Sequence, residues 1–112
     1  MTQRYLLNLP EQEMDITLKS TNFHLRFYSF RNLTYVDIHR GQVPMCLGKR
    51  VMANWWLFPE YISHTYGNVR FETYKSDGDD YVWYEGFNTK FRLMAYSVSD
   101  MEQLDMSAED IE

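Results

Sequence analysis

Three histidines, His24, His39 and His64, and the single cysteine Cys46 are the side chains best suited to hold a transition metal or to act as base and nucleophile. Metal binding needs such groups to converge at short paired spacings, and these four fall on different expected elements. His24 and His39 sit on the polar sides of neighbouring strands, where they read as an exposed cross-strand pair. Cys46 has no nearby histidine to activate it and reads as a small buried residue. The run Asp77-Gly78-Asp79-Asp80 has the look of part of a calcium loop, but it lacks the alternating oxygens and the distant bidentate glutamate of a full coordination shell, so it reads as a solvated turn. Asp37, Glu72 and Glu85 are the carboxylates that could serve as a glycosidase pair, and any sheet carries a few. No glycine-rich phosphate loop and no Gly-x-Ser-x-Gly elbow occurs. The sequence therefore points to no catalytic residue, no metal and no cofactor.

Chemistry of another kind is concentrated at Trp55-Trp56-Leu57-Phe58. Four large apolar side chains in succession cannot all enter one small core, and aromatics left outside a core anchor protein interfaces. Trp55, Trp56, Phe58 and Tyr61 are thus the candidate contacts to a partner. A lid that covers the core is the other reading of this run, and sugar stacking is a third use of exposed Trp and Tyr beside carboxylates.

The elements that must position these residues are strands. Phe23, Leu25 and Phe27 alternate with His24, Arg26 and Tyr28, and Val36 with Ile38 repeats the pattern after Arg31-Asn32, so each strand buries one face. The expected order is a strand over Arg4 to Leu9 stopped by Pro10, a strand over Met14 to Leu18, a turn at Ser20-Thr21-Asn22, and the strand from Phe23. Leu33 to His39 follows, then a turn at Arg40-Gly41-Gln42 and a run from Val43 to Leu47. Gly48 to Tyr66 has neither period and reads as a long loop with a helical turn near Pro59 to Ile62. Strands resume at Val69, with Tyr81 to Glu85 pairing back as a hairpin and Phe91 to Ala95 closing the set. Ser99-Asp100-Met101-Glu102 matches a capping box for one or two helical turns. The expectation is an all-β chain, a small antiparallel β-barrel or sandwich of about seven strands with a long central loop and a short C-terminal helical tail.

Length and composition bound this picture. The 112 residues suit one core, with residues 1–98 as the antiparallel β domain and 99–112 as an acidic tail. The seven Phe, three Trp and nine Tyr are about twice an average share, which suits strands and docking surfaces. One cysteine excludes an internal disulfide framework, and no apolar run approaches the length of a membrane span. The first residues do not form a secretory leader, so a soluble protein is expected. Of the net charge of −5, the tail supplies Asp100, Glu102, Asp105, Glu109, Asp110 and Glu112 with no base, and the body is near neutral. A sequence-specific nucleic-acid groove is not expected without clustered Lys and Arg. Asp100 and Glu102 are instead candidate contacts to a basic neighbour.

Several short motifs carry a resemblance: Leu9-Pro10, the aromatic strand Phe23 to Phe30, Tyr35-Val36-Asp37-Ile38, Gly41 with Val43-Pro44-Met45, Gly48, Leu57-Phe58 and Phe91-Arg92-Leu93-Met94-Ala95-Tyr96. Over residues 4 to 97 the chain resembles the small baseplate plug proteins of contractile-tailed bacteriophages, first of all the cyanophage baseplate plug family. It departs at Thr34-Tyr35, where a Trp is usual, and at Trp55-Trp56 and the acidic tail. The resemblance implies a β-barrel-like structural virion protein of the tail tip, packed on tail hub or baseplate proteins and closing or lining the tail lumen. It implies no enzymatic residues, and assembly in the host cytoplasm. A homo-oligomer within the assembly is compatible with it. The alternative is a small carbohydrate- or protein-binding module at the virion tip.

Overall fold

The computed structural model of the chain describes residues 1–73 and 81–110, with side chains to residue 104. Its elements are β1 (Thr2–Arg4), β2 (Glu11–Leu18), β3 (Thr21–Phe30), β4 (Leu33–Arg40), β5 (Val43–Arg50), α1 (Glu60–Tyr66), β6 (Asn68–Thr73), a 3-10 turn at Tyr84–Gly86, β7 (Phe91–Tyr96) and α2 (Val98–Asp110). Seven antiparallel strands form two sheets, one in the order β2-β3-β4-β5 and one in the order β1-β7-β6. The barrel alternative is not realised, because no ladder among the described residues joins the two sheets into a closed ring.

The four-stranded sheet follows the alternation in the sequence. Phe23, Leu25, Phe27, Val36 and Ile38 are at most 1% exposed and face inward, and their neighbours face out. Two-residue turns set the registers: Lys19-Ser20 and Arg31-Asn32 hold positive φ at both positions, which matches the right-handed twist of the flanking strands. The first turn therefore lies at Lys19-Ser20 rather than at Ser20-Thr21-Asn22, and β3 begins two residues earlier than expected. His24 and His39 stand directly opposite each other in the β3–β4 register.

The core forms where the sheets meet. The Phe27 and Phe71 rings cross edge to face at 5.5 Å, and Phe71 stacks on Phe87 at 5.3 Å, which joins β3, β6 and the segment before β7. Burying each such side chain contributes about 1.5–3 kcal/mol. Cys46 packs partly buried against this cluster rather than within it.

Three sequence expectations are corrected. Arg4 to Leu9 is not a strand: β1 ends at Arg4, and the chain from Leu6 to Asn8 is held by side-chain amides in place of a ladder. Asn88 bonds both backbone groups of Leu6, Gln12 bonds both of Leu7, and the Asn8 amide donates to the carbonyls of Tyr84 and Phe87. Tyr81 to Glu85 does not pair with β6, because both edges of β6 are taken. β7 holds one, and Asn54 N and Leu57 N donate to the Phe71 and Val69 carbonyls on the other at 2.6 and 2.9 Å. Tyr81 forms an isolated bridge with Met52 instead. The C-terminal helix is thirteen residues long and its capping box lies two residues earlier than expected. Ser97 Oγ accepts from Asp100 N at 3.2 Å, and Asp100 Oδ2 accepts from Ser97 N at 3.1 Å. The acidic turn at Asp77 to Asp80 lies outside the described residues.

Candidate docking surface

Residues 51–59 lack periodicity because they are shaped by distant polar groups. Asn68, 1% exposed, takes Phe58 N on its Oδ1 at 2.8 Å and donates Nδ2 to the Phe58 carbonyl at 3.1 Å. The Lys49 ammonium donates to the carbonyls of Trp56 and Leu57 at 2.8 and 3.0 Å. Asn54 turns the chain in the left-handed region at φ 68°. These fixings decide which large side chains enter the core. Leu57 and Phe58 do, at 0% and 2% exposure, with the Phe58 ring 4.9 Å from Phe23. Phe58 is thus a core residue and is not on the surface with Trp55, which is 53% exposed. Pro59 then starts α1, whose Ile62 is buried and whose Tyr61 is 64% exposed.

Trp56 is half-buried and roofs a charged cluster on the outer side of the three-stranded sheet. The Arg70 guanidinium lies 4.4 Å from the Trp56 ring centroid and 5.3 Å from that of Tyr96. Arg70 and Arg92 pair with Glu72 at 2.9 and 3.3 Å, and the Tyr96 hydroxyl donates to the same carboxylate. Burial pushes the Glu72 carboxyl up, but the hydrogen bonds from Tyr96 and Arg70 and the two cationic charges outweigh it and hold the group below its ordinary value. Burial, and then Glu72, raise the Tyr96 phenol, which keeps it a donor. Composition and spacing gave no sign of this cluster, since Glu72 is one acid among several until β6 and β7 are set side by side.

A depressed carboxyl contributes stability that is complete above its unfolded value and is lost as pH falls through the folded one. Glu72→Gln is therefore expected to cost about 2 kcal/mol at neutral pH. Its difference from wild type should shrink as pH falls below 4.5, the group's ordinary value. Thermal melts of both proteins across that range check this, and a difference that does not change with pH would show that the carboxylate charge contributes nothing.

The two candidate acids of the tail differ in placement. Asp100 caps α2 and pairs with the Met1 amino group at 2.7 Å, and these bonds, the amino group first, hold its carboxyl below the ordinary range. Glu102 is exposed. Further large apolar side chains that composition and spacing did not single out as contacts, Tyr5, Leu7 and Leu9, are 75%, 64% and 46% exposed. Their odd-numbered spacing about the buried Leu6 was the available signal.

Among the described residues no group of three or more His, Cys, Asp or Glu is placed to hold a metal ion. The His24 nitrogens are instead engaged by Asp15 at 2.7 Å and Glu13 at 3.1 Å. No described helix is long and apolar enough to cross a membrane. No curated protein matches the chain. The model of one protein family, described as cyanophage baseplate Pam3 plug gp18, matches residues 3–98 and so takes in every strand from β2 to β7. The chain belongs to this family of structural components of the phage baseplate.

Proposed function

We propose that this chain is a plug subunit that docks on tail hub or neighbouring baseplate proteins and closes or lines the tail lumen. Trp55 and Tyr61 are its principal contacts. The supporting observation is that both rings stand out from a stretch whose backbone is fixed by Asn68, Lys49 and the edge of β6. A side chain presented from a fixed backbone loses little entropy on binding, which is the condition for an anchor. Trp56 supports the surface from beneath through Arg70, and Phe58 ties it to the core. Asp100 is occupied within the chain, so Glu102 is the better placed of the two acids to meet a basic neighbour.

Removing two central aromatic anchors weakens binding by about 2–4 kcal/mol or more. The Trp55→Ala, Tyr61→Ala double variant should therefore fall at least about thirtyfold in affinity and be missing from assembled particles, with its melting temperature little changed. Normal incorporation of a folded double variant would remove the proposal. Crosslinking the incorporated wild type identifies the neighbour.

A second reading, a glycan-binding module at the virion tip, is favoured by an open cleft of about 300 Å³ lined by Asn32, Trp83, Tyr84 and Glu85. Aromatic faces beside an amide and a carboxylate are what sugar stacking uses. It ranks second because the Lys90 ammonium, 4.9 Å from the ring centroid, already sits over Trp83. Unchanged tryptophan fluorescence across a glycan panel dismisses it.

A further inference from the structure

The two sheets end in four edges, and three are closed or interrupted. Segment 54–57 donates to β6, β1 is three residues long, and β5 carries Pro44 and two shifts of register against β4. β2 differs. It pairs with β3 in unbroken register from Glu11↔Tyr28 to Leu18↔Thr21, and among the described residues no backbone hydrogen bond reaches its other side. An eight-residue regular edge with unpaired N–H and C=O groups is a template for another strand.

The side chains of β2 decide which strand. Ile16 and Leu18 are buried on the inner face, whereas Glu11, Glu13 and Asp15 stand exposed in a row on the outer face. Behind them, Arg26 meets Glu11 at 2.9 Å but also reaches Asp37, and His24 serves both Asp15 and Glu13. Hydrogen bonds to Glu13 and Asp15 hold the His24 imidazolium above its ordinary value, so it answers part of the row's charge. A second copy pairing antiparallel through the same edge would set carboxylates against carboxylates, and like charges directly opposite destabilise a ladder. We propose that β2 accepts an extended segment of a neighbouring protein that carries Lys or Arg at alternate positions. The backbone ladder supplies the attachment and the three carboxylates select the sign of the partner. This surface is independent of Trp55 and Tyr61.

The test uses the whole chain and two blocked ten-residue peptides, one alternating Lys with Val and one alternating Glu with Val. The Lys peptide should slow hydrogen exchange at outward amides of β2, with binding that weakens as salt is raised. The Glu peptide should do neither. The triple variant Glu11→Gln, Glu13→Gln, Asp15→Asn keeps the buried face of β2 and should bind the Lys peptide about tenfold less tightly. Equal protection by both peptides, or binding of the Lys peptide without protection of β2, would overturn the proposal. Protection of β2 by self-association of the chain alone would also overturn it, because the edge would then belong to a second copy.

Discussion

Phe71→Ala is expected to lower the free energy of unfolding by about 3–5 kcal/mol. The ring is fully buried and lies between Phe27 of the four-stranded sheet and Phe87 of the segment leading to β7. Its removal takes one side from both contacts and leaves a cavity between the two sheets. A chain of this size has about 5–15 kcal/mol in total, so the loss is from about a fifth to all of its stability. In urea the midpoint should fall by about 2 M, given a slope of about 1–3 kcal/mol per molar. Phe30 supplies the control, because at 59% exposure its replacement by Ala should change stability by no more than about 0.5 kcal/mol. If Phe71→Ala behaved like the control, the two sheets would not share one core.

What the sequence disclosed depended on whether the fixing interactions were local. Phe23, Leu25 and Phe27 could be placed inside because a period of two is a property of the strand itself. The turn at Arg31-Asn32 was legible for the same reason, since two positive φ values form a local motif that Asn tolerates. Segment 51–59 was not legible. Its course is set by Asn68 and Lys49, ten and seven or eight residues away along the chain, and by the carbonyl row of β6. The aromatic run showed that some ring must remain outside, but not that Trp55 would do so while Phe58 entered the core. The hairpin expected at Tyr81 failed for a related reason: alternation marks a segment able to be a strand, and does not show that both edges of its intended partner are taken. Likewise the Leu6–Asn88 clamp joins residues 82 apart, and Arg4 to Leu9 reads as a strand only while that partner is out of view.

Gly67→Ala should be nearly as damaging as the loss of Phe71, although no buried surface is removed. Gly67 ends α1 at φ 105° and ψ −166°, a region of backbone conformation essentially confined to glycine. A Cβ there would overlap the Tyr96 carbonyl oxygen and press on the Ser97 backbone, and neither can move without breaking the start of the β6–β7 ladder at Asn68↔Tyr96. Conformational strain of about 1–3 kcal/mol and the steric displacement act together, so a loss of about 3 kcal/mol or more is expected. The consequence reaches the proposed docking surface, because Asn68 is the next residue and holds Phe58, while α1 carries Tyr61. Gly67→Ala should therefore lower the melting temperature and also reduce incorporation into particles, whereas Trp55→Ala with Tyr61→Ala should reduce incorporation alone. Measuring both quantities on both variants separates a surface that is merely exposed from one whose presentation depends on this turn. A Gly67→Ala protein that kept the wild-type melting temperature would mean that Gly67 does not approach the Tyr96 carbonyl and Ser97 as closely as described.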